Sequence, residues 1–236
     1  MKIQVLNRST LVKDSDVQTW TTACAMQLTD DVAPAHEKTA PTVTFLAGGQ
    51  KADADAFQAV LLDHADQAGA LGYHDLDPDG RPYEKIFVKD TLDAGCNVST
   101  TLSHEMCEMF LDPLCTLWAN AKDGGIDAYE LCDAVEADEY SKNVGGVHVP
   151  VSNFLLPAYF APSNPHSVPT DFLGLLHGAV SPALRPGGYR IYASMGQENQ
   201  AFGRTVHAEF HVDYPEAQRA AKQHPAARTA RRLAAP

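Results

Sequence analysis

The sequence is short of cysteine pairs, of long apolar runs and of positive charge. Its five cysteines (Cys24, Cys96, Cys107, Cys115 and Cys132) form no CxxC pair and are odd in number. A disulfide framework is therefore not expected, and a reducing compartment is the simpler home. No apolar run reaches the roughly 18 to 20 residues needed to span a bilayer. The opening MKIQVLNRST leads almost directly to DSDVQ, so no signal peptide and no membrane partner are expected. Basic residues number 18 against 30 acidic ones, a formal net charge of −12. Phosphate contacts need Lys and Arg, which disfavours nucleic acid as a partner. The deficit is uneven. Residues 217–236 hold five basic side chains (Arg219, Lys222, Arg228, Arg231, Arg232) and no acidic one. Without that tail the body has 13 basic against 30 acidic residues, a net of −17. Any nucleic-acid contact is expected only through the tail.

What is present is a globular composition. Hydrophobic residues make up 44% of 236 residues and charged ones 20%, enough for one large core or one domain with an appendage. Ile3 to Leu6 read as a first strand. Val17, Trp20, Cys24 and Leu28 recur at helical spacing after Asp14 to Asp16, predicting a helix of about 14 residues. Pro34 and Pro41 frame an irregular link, and Val43 to Leu46 is a strand stopped by Gly48-Gly49. Further strands are expected around Val60, around Leu71 and over Lys85 to Val88, with a turn at Asp77-Pro78-Asp79-Gly80. So close a series suggests a sheet with hairpin connections. A helix follows over VSTTLSHEMCEMFLDP, capped by Ser99, Thr100 or Thr101 and ended by Pro113. After about residue 140 the pattern weakens into a proline-punctuated, loop-rich stretch.

The chemistry is expected in SHEMCEMF, Ser103 to Phe110. His104 and Glu108 are four apart and emerge on one helix face, while Leu102, Met106, Met109 and Phe110 form an apolar face for burial. The helix is thus expected to show His104 and Glu108 to a cleft, with Glu105 at its rim. This is the H-E-x-x-H arrangement of zinc hydrolases with Glu in the second ligand position. A third ligand must come from elsewhere. Glu130, in AYELCDAVEADEY, is the best placed, with Asp133 on the same side if Glu130 to Glu139 is helical. Asp133 would then orient His104, or else Asp133 is the ligand and Glu130 the support.

These segments resemble the zincin-like metallopeptidase superfamily, in particular the thermolysin-type branch whose third ligand is Glu. TLSHEMCEMFLDP, YELCDAVEADEY and VSNFLLPAYF are similar to an uncharacterised family of bacteriophage and bacterial proteins with histidine-glutamate-x-x-glutamate helices, over roughly residues 1 to 190. The resemblance implies an α+β fold, a zincin-like mixed sheet with an N-terminal helix and an active-site helix. Residues 1–145 would form the metal-site domain, 146–216 a loop-rich extension packed on it, and 217–236 the basic tail. It further implies zinc, with Mn or Fe as alternatives for a His and two carboxylates. His104, Glu108 and Glu130 would be ligands, and Glu105 the general base on a protein or peptide substrate lying along an exposed edge strand near Leu71. Tyr129, Tyr159 and His74 are candidate transition-state donors, although ordinary packing for the tyrosines and a surface position at a strand end for His74 are the plainer readings. His148, His166, His177 and His211 have no ligand spacing among themselves.

The sequence departs from the superfamily in three places: Glu as second ligand, a downstream Glu and Asp three apart rather than four, and no methionine turn around Met195. These departures weigh against peptidase activity more than against the fold. The alternative expectation is a non-catalytic structural or assembly protein of a virus particle, bound to neighbouring virion subunits and located in host cytoplasm or virion.

Overall fold

Strand β1 (Lys2–Asn7) is buried on both faces through Ile3, Gln4, Val5 and Leu6, as suits a strand in the middle of a sheet. In the computed structural model it lies between two parallel neighbours, which explains that burial. The structure describes residues 1–67, 69–161, 163, 168–194 and 197–203. After β1 come helix α1 (Asp14–Gln27), a π-helical turn (Leu28–Val32), the short helix α2 (Ala33–Ala35) and strand β2 (Thr42–Leu46). Then follow β3 (Phe57–Leu62), β4 (Gly72–Leu76), β5 (Pro82–Phe87), helix α3 (Val88–Asp93) and helix α4 (Val98–Leu111). The sheet order is β2-β1-β3-β5-β4. Pairings β1–β2, β1–β3 and β3–β5 are parallel, and only β4–β5 is antiparallel. The architecture is α+β with a mixed sheet.

The expected run of hairpins is thus confined to one. Asp77 makes it: its carboxylate accepts from the N–H groups of Asp79 and Arg81, both at 2.9 Å, and Gly80 takes a φ of +79°. The other strands pair in parallel because their connections carry helix α1 or run the length of the sheet, a non-local outcome that turn signals cannot report. β4 is an edge strand, but Tyr73, His74 and Asp75 are buried, and the thiol of Cys115 lies on the carbonyl of His74. The expectation of an exposed edge near Leu71 is therefore not met, and His74 is a core residue rather than a surface one.

The second half holds more regular structure than its prolines suggest. Strands β6 (Trp118–Asn120) and β7 (Ile126–Ala128) join β10 (Tyr189–Ser194) and β11 (Gln197–Phe202) in an antiparallel sheet of order β11-β10-β7-β6. Strands β8 (Glu139–Val144) and β9 (Val147–Ser152) form a hairpin. The division expected at 145/146 falls in the turn of that hairpin. Helix α4 lies between β4 and β5 on one side and β9 on the other, with α1 beside it. Among the described residues no helix is long and apolar enough to cross a membrane. The basic tail, His166, Met195 and His211 lie outside the described residues. His148 and His177 are exposed and remote in character from the buried residues of the site.

Candidate metal centre

Helix α4 begins at Val98, two to four residues ahead of where a cap at Ser99, Thr100 or Thr101 would place it. Asn97 is the N-cap residue, and it makes no side-chain bond to the helix end. Its amide donates instead to Glu139 at 3.0 Å, and the Thr100 hydroxyl donates to the same carboxylate at 2.7 Å. Ser99, Thr100 and Thr101 fall inside the helix. Midway along, the Ser103 hydroxyl donates to the Thr100 carbonyl and accepts the N–H of Ser152 at 2.7 Å. At the far end the carboxylate of Asp112 accepts from the N–H groups of Thr116 and Leu117, both at 3.0 Å, and turns the chain before Trp118.

The apolar face of α4 is buried as expected, with Leu102, Met106 and Met109 wholly enclosed. The polar face is buried too: His104, Glu105 and Glu108 are 6%, 7% and 2% exposed. The expected open cleft beside them is replaced by packing. The sheet covers one side and the segment after β7 covers the other.

That segment is not a helix over Glu130 to Glu139. Only Asp133–Val135 forms a single 3-10 turn. Its backbone groups are used by tertiary partners: Cys132 N–H donates to Oε1 of Glu108 at 3.1 Å, Leu155 N–H to the Leu131 carbonyl at 2.8 Å, and Arg185 N–H to the Ala134 carbonyl at 2.9 Å. Those bonds leave no ladder for a helix. The turn brings Oδ1 of Asp133 to 3.2 Å from Nε2 of His104, while Oε1 of Glu108 is 3.4 Å from the same nitrogen. His104, Glu108 and Asp133 thus converge as one set of potential ligands. Glu130 is buried nearby, close enough for its charge to act on Asp133, but it belongs to neither three-residue set.

A second set lies on the sheet side. His74 and Glu84 are directly opposite each other across β4 and β5, so both side chains leave the same face. Nδ1 of His74 is 3.6 Å from Oε2 of Glu105 and 3.5 Å from Oε2 of Glu108. These three also converge within ligand reach. Gly72 makes the approach possible: a Cβ there would stand 2.9 Å from Cγ of Glu105 and 3.1 Å from the Lys85 carbonyl. Glu84 is wholly buried, and neither of its carboxylate oxygens has a hydrogen-bond partner.

The electrostatics follow from this crowding. Burial pushes the Glu84 carboxyl well above the ordinary carboxylate range, and the charge of Glu105 adds to it. Burial likewise raises Asp133, aided by the charge of Glu108, to about 7. Burial works against the charged form of His104, but Glu108 and Asp133 override it and hold the imidazole well above its usual value. Burial also opposes ionisation of Glu108, yet His104 and then His74 keep it well below its usual value.

Among the other candidates, the Tyr159 hydroxyl donates to the Ala183 carbonyl at 2.6 Å. Tyr159 also lines a narrow crevice with Glu130, Asp133, Phe160, Tyr189 and Arg190, which reaches the Asp133 side of the cluster. Tyr129 stacks on Phe160 at 3.9 Å and lines a different cavity, with His36 and Leu111.

No family model, curated protein or solved structure matches this chain. The site is therefore read from its own geometry.

That geometry includes two residues the sequence reading did not single out. Glu84 shares a strand face with Ile86, so a charged residue at an inward position was visible in the alternation of PYEKIF. Tyr189 stands against Asp133 and has no comparable signal, since β10 comes 56 residues later in the chain.

Proposed function

We propose that the protein is a metal-dependent hydrolase, peptidase-like in its chemistry, built on a zincin-like scaffold. One observation carries the reading: His104, Glu108 and Asp133 converge within 3.4 Å contacts in a buried pocket, and Oδ2 of Asp133 is enclosed with no hydrogen-bond partner. An imidazole with two carboxylates fits Zn, and also Mn or Fe. The mixed sheet with α4 lying on β4 and β5 supports the scaffold. Asp133 takes the third ligand position in this reading and Glu130 the supporting one.

A bound cation supplies Lewis acidity, polarising a carbonyl and making water acidic near neutral pH. Glu105, the neighbour of His104 on α4, takes the proton of the attacking water and returns it to the leaving amine. Glu108 and the buried shell around it fix His104 and keep bulk water out. The crevice beside Asp133, Tyr159 and Tyr189 is about 10 Å³, room for a single water, so a protein or peptide substrate reaches the site only when the packed shell opens.

Purified protein should carry stoichiometric Zn, Mn or Fe by elemental analysis, and His104→Ala should lose it. Glu105→Gln should keep the ion at His104 and lose peptide turnover. Equal turnover in wild type and Glu105→Gln would sink the mechanism, and a metal content indifferent to His104→Ala would sink the site.

The near-complete burial of the donors favours a second reading, because structural metal sites are closed where catalytic ones keep a position open. In it the same ion only holds the fold, and the protein is a non-catalytic structural or assembly component of a virus particle. Metal-dependent melting without any turnover across peptide substrates supports this reading over the first.

A further inference from the structure

The two oxygens of Glu108 face different partners. Oε1 lies 3.4 Å from His104, and Oε2 lies 3.5 Å from His74. Each oxygen is therefore a member of a different three-residue set, His104–Glu108–Asp133 on one side and His74–Glu105–Glu108 on the other. A carboxylate so placed can bridge two cations, as in two-metal hydrolytic sites.

We propose that a second divalent cation binds between His74, Glu105 and Glu108, with Glu108 bridging it to the ion at His104. The proposal rests on the His104 centre described above and adds a site to it. Three features of the sheet side support the second position. Carboxylates outnumber imidazoles there three to one, with Glu84, Glu105 and Glu108 around His74, and all are buried. Desolvated carboxylates at such density need a cation or protons to persist. Glu84 supplies the independent observation: it is fully enclosed, it stands directly across from His74, and both its oxygens lack a hydrogen-bond partner. A protein interior rarely leaves a carboxylate in that state unless something else completes its shell. The missing side chain at Gly72 is the third feature, because it gives Glu105 the room to reach toward His74.

The donor set, one imidazole with carboxylates, suits Mn²⁺, Fe²⁺ or Zn²⁺ and not a soft ion. With a cation there, Oε2 of Glu105 would face it beside His74.

The test uses the full chain stripped with chelator and reloaded with Mn²⁺ alone, read by equilibrium dialysis and electron paramagnetic resonance. Wild type should bind two equivalents and show an exchange-coupled signal. His74→Gln and Asp133→Asn should each bind one and show the sextet of an isolated ion, with helicity unchanged by circular dichroism. The wild-type stoichiometry and coupling need no variant, so the outcome stands even if a substitution unfolds the protein. One wild-type equivalent that Asp133→Asn abolishes and His74→Gln retains would overturn the second site and leave the His104 centre intact. No binding at all would overturn both.

Discussion

The backbone N–H of Cys132 donates to Oε1 of Glu108 at 3.1 Å, tying the segment after β7 to the middle of α4. That bond fixes the Glu108 rotamer, and so fixes which oxygen faces His104 and which faces His74. Glu108→Gln keeps an acceptor for Cys132 but loses the charge. Metal binding should fall sharply, and the metal-free fold should also lose stability, because the buried His104 imidazole loses the leading charge that holds it. Glu108→Ala also leaves the N–H of Cys132 without its acceptor and should cost about 1–3 kcal/mol more than Glu108→Gln in chelator. Urea denaturation of the two variants separates the roles.

Glu84 gives the metal-free protein a pH signature. Its folded carboxyl lies well above the unfolded value of 4.5 because of burial and the charge of Glu105. Below about pH 4.5 both states hold the proton and the group is neutral in its effect. As pH rises above that, the unfolded chain releases the proton and the folded chain retains it, so stability is lost up to the folded pKa. The slope is up to about 1.4 kcal/mol per pH unit for one proton. Glu84→Gln should flatten this slope, melting close to wild type near pH 4.5 and above it at pH 8 in chelator.

Gly72→Ala tests the close approach of β4 and α4. The added methyl would stand 3.1 Å from the Lys85 carbonyl as well as against Glu105, and the carbonyl belongs to the paired strand β5 and cannot move freely. A loss of about 1–3 kcal/mol is expected from overpacking, with peptide turnover reduced further than stability alone explains. Turnover equal to wild type, measured well below the melting temperature, would contradict the placement of Glu105.

Metal linkage gives a fourth test. A ligand that binds only the folded state stabilises it by about 2.7 kcal/mol at one hundred times its dissociation constant. Wild-type protein should therefore melt several degrees higher with saturating Mn²⁺ or Zn²⁺ than in chelator. Asp133→Asn should lose part of that rise. Arg190→Gln, which breaks the contacts of Arg190 to Asp123 and Asp127, should keep it.

Much of the framework was legible in local patterns. The helical recurrence from Val17 to Leu28, the turn at Asp77 to Gly80 and the proline after Asp112 each act over a few residues, and each element is found where those signals place it. Strand direction was not legible, because β1, β2 and β3 pair across connections whose geometry no turn residue reports. The 3-10 turn at Asp133 was hidden for a related reason: its backbone bonds go to Glu108, Leu155 and Arg185, which are distant in sequence. The site was half visible. His104, Glu105 and Glu108 stand on one helix by spacing alone, whereas the burial of their polar face depends on His74 and Glu84 meeting them from the sheet.

The anchors of α4 set an order of assembly. Every donor of the two ligand sets is present once residue 133 has been made, but Glu139, which receives Asn97 and Thr100, and Ser152, which binds Ser103 and whose carbonyl takes the amide of Gln27, come later. A growing chain therefore carries all its metal donors before it can hold the helix that presents them. Productive loading belongs after the β8–β9 hairpin has closed, and a fragment ending near residue 136 should bind cations loosely and unfold with them.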